Sequence, residues 1–243
     1  MMKKNRLLLA MLICLTMVFS NGNSFAANGG AFELTGDVIE YDSVQGIMVA
    51  QGNVRLTQDG AVMTGANAQY NTKSKEAFIT GGVRYSKDDL SLTAYQVRSF
   101  QDNHLIAEGD AVLTKGQNTL HGPQIDYYAD RQYALITSGA RLDMPDGSMT
   151  ADQLEAFISE DRAVGAGSVH IVSNARNLDA TAQQAVFYGI KGAQDAPGKI
   201  VLTGSPRVVQ DGNVLTGNTM TIYLDEKALD AQGRTKLIVK PQQ

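Results

Sequence analysis

The chain has 243 residues, of which 19% are charged and 43% are hydrophobic, and this composition suits one large soluble β domain or two small ones. The single cysteine, Cys14, lies in the N-terminal segment, so the remainder excludes a disulfide framework, a thiol nucleophile and a thiolate metal site. Without Lys3, Lys4 and Arg6 of the N-terminal segment, 18 of the 21 basic residues stand against 25 acidic ones, a formal charge of −7, which argues against nucleic acid as a partner.

The first 26 residues differ from the rest of the chain. A basic head, MMKKNR, precedes the apolar run LLLAMLICLTMVF, and SNGNSFA ends in small residues. This pattern predicts a secretory signal peptide, residues 1–26, cleaved after Ala26. The alternative is an uncleaved inner-membrane anchor, for which ~18 or more apolar residues would be expected. Cleavage would remove three basic residues and make the mature chain more acidic.

The rest of the chain is a repeat. A motif of Leu or Met, a middle residue and then Gly or Ala begins at Leu34, Met63, Leu92, Leu120, Met149, Leu178 and Leu215. A second column consists of Gly52, Gly81, Gly109, Gly139, Gly167, Gly204 and Gly233. Seven copies of both columns predict units of about 29 residues. Ala50–Tyr70 is expected to join one unit, closing at Gly52, to the next, beginning at Met63.

Alternation within each unit predicts short strands with one apolar and one wet face. Val54 and Leu56 share the apolar face, and Arg55 lies on the other. Turns are predicted at QDG (58–60), PDG (145–147) and QDG (210–212). In LTAYQVRSF (92–100) the apolar first and sixth positions have opposite parity, so the strand must bulge between them, at small residues such as Ala94.

Two segments depart from the regular pattern. Thr150 and Gln153 form a capping-box pattern that favours a helix, whereas the repeat register requires a strand there. We follow the register, because local propensity is a weak prior. The insertion GIKGAQDAPG (189–198) lengthens one unit to 37 residues and is expected to be an exposed loop.

Catalytic and metal-binding patterns are weak. His104, His121 and His170 occupy unrelated positions in their units, and the scattered acidic pairs fit a solvated face. The aromatic residues recur at the ninth position of the units, which indicates packing more than a sugar-binding platform. The apolar face could form a packed core or line an open trough. Periodicity alone does not separate these two cases.

The units resemble those of a known family. MVAQGNVRLTQDGAVMTGANAQYNTKSKEAFITGGVRY (48–85) and LIAEGDAVLTKGQNTLHGPQIDYYADRQYALITSGARL (105–142) are similar to repeats of the OstA-like, LptA-type family of periplasmic lipopolysaccharide-transport proteins. The resemblance implies an all-β jellyroll of antiparallel repeats over residues 27–243. It also implies a non-enzymatic periplasmic protein without a cofactor, whose interior holds the lipid A acyl chains of lipopolysaccharide.

The implied partners are the jellyroll domains of inner- and outer-membrane transport components and further copies of the chain, joined through edge strands. The candidate edges are Leu34–Gln51 and Arg234–Val239. The residues expected to face the lipid are Val54, Leu56, Ile79, Val83, Leu92, Val97, Leu113, Ile125, Leu142, Leu154, Val169 and Ile171. Two rival hypotheses remain: a structural or adhesive β-repeat protein with a packed core, and a polysaccharide-active enzyme on a parallel β-solenoid.

Overall fold

The computed structural model describes residues 32–101, 103–189, 198–226 and 228–240. The predicted signal peptide and most of the insertion predicted at 189–198 lie outside these residues. In the described part, no helix is long and apolar enough to cross a membrane. The described helix is a single 3₁₀ turn, Ile158–Glu160.

Twenty strands follow one another along the described chain. They are β1 (Phe32–Thr35), β2 (Val38–Asp42), β3 (Ile47–Gln58), β4 (Ala61–Asn71), β5 (Glu76–Lys87), β6 (Leu90–Ser99), β7 (His104–Lys115), β8 (Asn118–Tyr128), β9 (Tyr133–Ile136), β10 (Ala140–Met144), β11 (Gly147–Ala151), β12 (Gln153–Phe157), β13 (Arg162–Ser173), β14 (Leu178–Tyr188), β15 (Lys199–Thr203), β16 (Arg207–Gln210), β17 (Asn213–Thr216), β18 (Thr219–Tyr223), β19 (Leu229–Gln232) and β20 (Lys236–Ile238).

Every strand pairing is antiparallel. The chain runs back and forth as a meander, and we call each crossing, whether one long strand or two short ones, a pass; each pass pairs with the pass before it and the pass after it. The prediction of an all-β, jellyroll-like fold built from antiparallel repeats is therefore confirmed. The parallel solenoid of the rival enzyme hypothesis is not what these strands form. Gln153–Phe157 is a strand, as the repeat register predicts. It pairs with β13 on one side and β9 on the other, and these backbone hydrogen bonds outweigh the local preference for a helix.

The strands bend in the middle, at the glycine column. In β3 the register shifts between Gln51 and Val54, and Gly52 and Asn53 have φ of 71° and 47°. All seven glycines of the column have positive φ, between 58° and 87°. This left-handed conformation is cheap for glycine. It produces β-bulges that turn the strand at Gly52, Gly81, Gly109 and Gly167, and at Gly139, Gly204 and Gly233 it separates two consecutive short strands. Gly52 therefore lies inside a strand and does not close a unit, which corrects the boundary expected from the sequence.

The bends divide each long strand between two half-sheets. Half-sheet 1 contains the strand halves next to the turns at 59–60, 88–89, 116–117, 145–146, 174–177 and 211–212. Half-sheet 2 contains the halves next to the turns at 43–46, 72–75, 129–132 and 158–161, the halves next to Phe100 and Asn103, and β15, β18 and β19. The predicted hairpins are confirmed at all three sites. Asp59 and Gly60 both have positive φ, as in a type I′ turn.

Apolar side chains from both half-sheets fill the space between them. Val83 of half-sheet 1 and Ile79 of half-sheet 2 lie on the same strand, on either side of the bend, and each is 1% exposed. Further along, the Tyr85 ring of half-sheet 1 lies 6.3 Å from the Tyr127 ring of half-sheet 2. Burial, with smaller contributions from Tyr85 and Asp130, raises the pKa of Tyr127 to about 12. The core thus begins at the bend and continues between the two half-sheets.

The periodic aromatic residues lie on the outer face of half-sheet 2, next to its turns. The rings of Tyr128 and His104 stack at 4.2 Å, and those of Tyr133 and Phe157 lie 5.3 Å apart. The Arg162 guanidinium lies 3.7 Å from the Phe157 ring centroid. Cross-strand ring contacts of this kind stabilise neighbouring strands. The aromatic side chains at the ninth position of the repeat therefore pack against one another on the outer face and do not enter the core.

Two adjacent glycines separate the effect of backbone conformation from that of close packing. Gly81 and Gly82 both have positive φ, but a Cβ added at Gly81 would lie 2.5 Å from the Ala66 Cβ, whereas one at Gly82 would meet nothing within 4 Å. We predict that Gly82→Ala lowers the free energy of unfolding by about 1–2 kcal/mol through backbone strain. Gly81→Ala should cost a further ~1–3 kcal/mol from overpacking. Urea denaturation measures the free energy of unfolding of both variants. Equal losses of stability in Gly81→Ala and Gly82→Ala would show that close packing at Gly81 contributes nothing to the bend.

Candidate functional site: the mouth between the half-sheets

The side opposite the bends is open, and we call it the mouth. There the turns of half-sheet 1 face those of half-sheet 2. A cavity of about 410 Å³ lies in the mouth toward the C-terminal end, and we call it the main mouth cavity. Its volume falls in the range of roughly 300–1,000 Å³ that is usual for small-molecule sites.

The walls of the main mouth cavity are mostly apolar. They include, from both half-sheets, Met144, Ile158, Ile171, Leu178, Phe187, Ile200, Ile222 and Leu224. Ile171, Leu178, Phe187, Ile200 and Ile222 are buried core residues, and the other three lie nearer the surface. The cavity is therefore a continuation of the core toward solvent. Here the two half-sheets lie too far apart for their facing side chains to contact one another.

Polar side chains occupy the rim, and two of them bridge the mouth. Asn118 Nδ2 of half-sheet 1 donates to Asp161 Oδ1 of half-sheet 2 at 3.1 Å. Arg176, in the turn after β13, donates through Nη1 to the backbone oxygens of Tyr223 and Glu226 across the mouth. Its side chain is only 10% exposed, and Nη2 lies 3.5 Å from Asp146 Oδ2 on its own half-sheet. These contacts hold the two half-sheets at a fixed separation on either side of the main mouth cavity.

The rest of the rim carries paired charges. Lys115 forms an ion pair with Asp89, and the hydrogen bond from Lys115 lowers the pKa of the Asp89 carboxyl. Ser173, at the end of β13, lines the cavity and is 6% exposed, and its Oγ has no hydrogen-bond partner among the described residues. The rim thus combines satisfied charges with one unsatisfied hydroxyl.

The twelve residues expected to face a lipid all lie on the inner faces of the half-sheets. Eleven are 2% exposed or less, and Leu56 is half-buried. Only four border a cavity: Ile171 lines the main mouth cavity, Leu113 and Leu142 a void of about 50 Å³ beside it, and Leu56 a second mouth cavity of about 210 Å³. The other eight are Val54, Ile79, Val83, Leu92, Val97, Ile125, Leu154 and Val169. They border none of the cavities described above. Seven of them lie next to the bend, where the interior is packed, and Leu92, which pairs with Leu113 further from the bend, is fully buried as well.

The three histidines each lie beside an aspartate on the outer face. His104 Nε2 lies 3.0 Å from Asp126 Oδ1, and His170 Nε2 lies 2.9 Å from Asp179 Oδ2. His121 is placed in the same way beside Asp143. In the described residues no group of three or more His, Cys, Asp or Glu side chains could hold a metal ion. Asp126, Asp143 and Asp179 therefore act as cross-strand partners of the histidines.

Comparison with known proteins finds matches among solved structures. No family model and no curated protein matches the chain. The chain is similar to LptH, described as the LptA homologous periplasmic component of the conserved lipopolysaccharide transport device from Pseudomonas aeruginosa. The identity is 12%, the match covers 87% of this chain and 96% of that one, and the TM-score is 0.19. At that score the likeness supports nothing about ligand or partners, which we infer from the repeats and geometry of this chain.

Sequence reasoning found the inner faces but missed the residues that shape the mouth. Asn118, Asp161, Ser173 and Arg176 lie at strand ends or in turns, and their importance comes from contacts across the mouth. One signal was available for Ser173. The sixth residue after Gly167 continues the inward stripe of Val169 and Ile171, so a serine there is an inward polar residue.

Removal of the Arg176 side chain tests whether the cross-mouth contacts hold the half-sheets together. Hydrogen bonds from a charged group contribute about 1.5–3 kcal/mol, so we predict a loss of that size in the free energy of unfolding for Arg176→Ala. Arg176→Lys should recover only part of it, because an ammonium lacks the planar fork of donors. Arg84→Ala, on the exposed outer face, is the matched control. Unchanged stability in Arg176→Ala, measured by urea denaturation, would show that the contacts do not hold the mouth.

Proposed function

We propose that the chain is a non-enzymatic periplasmic lipid carrier, which binds acyl chains in the mouth and the interior between its half-sheets. The observation that carries this proposal is the main mouth cavity of about 410 Å³, with apolar walls continuous with the core. An acyl chain gains about 0.8 kcal/mol for each CH₂ removed from water. The attraction has no direction, so a chain can move along the mouth between equivalent sites. The ligand implied by the resemblance of the repeats is lipopolysaccharide.

The packed region near the bend refines where lipid is expected. The eight predicted residues that border no cavity belong to the packed core, and close-packed interiors leave no room for a ligand. Acyl chains are therefore expected against the four predicted residues that border a cavity, Leu56, Leu113, Leu142 and Ile171. Entry of a chain deeper than these residues would require the half-sheets to separate.

The two ends of the meander support joining to other jellyroll domains. β1 and β2 pair only with β3 among the described strands, and β19 and β20 pair only with β18 and β17. Unpaired strand edges can add a further strand from another chain. Among the described residues, seven of the ten exposed large hydrophobic side chains lie at these ends, namely Val38, Ile39, Tyr41, Val44, Leu237, Ile238 and Val239.

Charge is complementary at the two edges of half-sheet 1. β1 carries Glu33 and no basic residue, whereas residues 234–240, which include β20, contain three basic and no acidic ones; on half-sheet 2 both edge strands, β2 and β19, are acidic. Opposite charges on half-sheet 1 favour pairing of β1 of one copy with β20 of another, and like charges disfavour the two symmetric pairings. A head-to-tail chain of copies would also align their mouths. We infer that the transport components of the two membranes dock at the same edges.

A structural or adhesive repeat protein remains the second candidate, and the packed region near the bend favours it. That hypothesis accounts for the buried stripe but not for an apolar cavity at the mouth. The two hypotheses differ in what the mouth contacts in cells.

Photo-crosslinking from the mouth distinguishes them. A photoreactive residue at Met144 or Leu224, which line the main mouth cavity, should form adducts with lipopolysaccharide in cells. The same residue at Arg84, on the exposed outer face, is the control and should form none. Both mouth positions are half-buried, so substitution there preserves the core. Adducts with protein alone, or no adduct at either mouth position, would refute lipid carriage.

Sedimentation velocity tests the head-to-tail joining. The protein should form concentration-dependent oligomers that dissociate as salt is raised, because screening weakens the attraction between exposed charges. Lys236→Glu at the last edge should abolish them, whereas Lys75→Glu, in an exposed turn of half-sheet 2, should not. Oligomers that persist in Lys236→Glu would show that this edge is not the joining surface.

A further inference from the structure

The outer face of half-sheet 1 carries a continuous row of side chains, which we call the basic row. Strand pairing places one residue from each strand of half-sheet 1 directly beside a residue of the next strand. In order from one edge of half-sheet 1 to the other, the members are Thr35, Arg55, Thr64, Arg84, Thr93, Val112, His121, Arg141, Thr150, His170, Thr181, Arg207, Thr216 and Lys236. None of them is acidic, although the chain as a whole has a formal charge of −4.

The basic row follows from the repeat. Arg55 and Arg84 are 29 residues apart, and an Arg, Lys or His occupies this repeat position in six of the seven units, with Val112 as the exception. Most of the strands between them contribute a threonine. Because the basic residues are a whole unit apart in the sequence, they form no cluster there, and strand pairing brings them into one row.

Among the described residues, four of the five Arg and Lys side chains in the basic row have no anionic partner. These four are Arg55, Arg84, Arg207 and Lys236, and each is exposed. An aspartate neighbours Arg141 and each of the two histidines, in the middle of the row. Free positive charge is therefore concentrated at both ends of the row, where an anionic ligand would meet it.

The free basic residues occupy alternate strands. Neighbouring strands lie ~4.8 Å apart, so Arg55 and Arg84, which are separated by one strand, lie ~10 Å apart along the row. Like charges on directly paired residues destabilise a sheet, and the threonines between the arginines prevent this contact. The row thus presents positive charges at intervals, with hydroxyl groups in between.

The shape of the basic row favours a linear polyanion over a membrane surface. The row is one residue wide, and acidic residues lie on both sides of it, Asp143 and Asp179 toward the turns and Asp110 and Asp152 at the bends. A flat anionic membrane would contact these acidic residues together with the row. The row also contains no exposed large hydrophobic side chain that could enter a bilayer. A flexible linear polymer can follow the row and the twist of the sheet without meeting the flanking acids.

The threonines favour a sugar polymer over a nucleic acid. Thr64 and Thr93 lie on either side of Arg84, on the two strands that pair with β5. A hydroxyl both donates and accepts hydrogen bonds, so these side chains can bond the hydroxyls of sugars that lie between charged groups. Single-stranded nucleic acids need aromatic rings on which their bases stack, and the row contains none apart from the two histidines.

We propose that the basic row binds a linear anionic polysaccharide. The free arginines pair with its charged groups, and the threonine hydroxyls bond its sugar hydroxyls. Arg55 points to the outer face, whereas Val54 and Leu56 on either side of it belong to the inner face. The basic row and the mouth therefore lie on opposite faces of half-sheet 1, and binding at the row does not depend on the proposed lipid carriage.

Two forms of one polymer test the proposal. Polygalacturonate is linear and carries a carboxylate on every sugar, and full methyl esterification removes the charge but keeps the backbone. The protein should bind polygalacturonate, more weakly as salt is raised, and should not bind the esterified form. A variant with Arg55→Gln, Arg84→Gln and Arg207→Gln should bind about ten- to a hundredfold more weakly, because one exposed ion pair contributes about two- to fivefold. Lys236 is left unchanged because it also lies at the joining edge.

A matched variant controls for the loss of net charge. Lys75→Gln, Arg98→Gln and Arg131→Gln together remove three exposed charges from half-sheet 2 and should leave the affinity unchanged. Equal losses in the two variants, no binding of polygalacturonate by the wild-type protein, or equal binding of the esterified form would refute the basic row as a polysaccharide site. Equally tight binding to phosphatidylglycerol vesicles, lost in the arginine variant, would assign the row to a membrane surface and also refute the proposal. None of these outcomes affects the crosslinking test of lipid carriage.

Discussion

The left-handed backbone at the glycine column is the constraint on which the interior depends. Seven positions with φ between 58° and 87° allow every second pass of the chain to bend, so that one pass contributes to two facing half-sheets. A straight strand of the same composition would place its whole apolar stripe on one flat face. At Gly81 the bend also requires close approach to Ala66, which only a residue without a side chain allows. The same position of the repeat thus provides both the turn and its tight packing.

The separation of the half-sheets increases from the bend to the mouth, and this divides the interior into two regions. Near the bend, residues such as Val97 and Ile125 are fully buried and pack on their neighbours. At the mouth the same apolar surface continues, but the facing side chains no longer meet, and a cavity results. The packed region supplies stability, and the mouth supplies a surface that a lipid can use without displacing the core. Cross-mouth contacts from Asn118 and Arg176 fix how far the half-sheets separate.

Much of the fold could be predicted from the sequence because the same pattern of apolar, polar and glycine residues occurs in every repeat unit. The alternation of Val169 and Ile171 with His170 identified the inner face, and the parity change within LTAYQVRSF (92–100) required a bulge that the structure places between Thr93 and Gln96. The site could not be predicted in the same way. Period-2 alternation states which face a side chain occupies, but it carries no information on the distance to the opposite half-sheet. That distance separates Val97 in the packed core from Ile171 at the cavity, and it depends on contacts such as that of Arg176 with residues about 50 positions away.

The central claim is that the interior of this protein opens at the mouth to hold a lipid. Native mass spectrometry of the protein, released from the periplasm of a diderm bacterium without detergent, tests it most directly. The account predicts a population with the added mass of a bound lipid, identified on fragmentation as an acylated amphiphile, and loss of that population when a bulky residue replaces Leu224 in the mouth. A protein that carries only its own mass, under conditions in which a known lipid carrier keeps its ligand, would contradict the account.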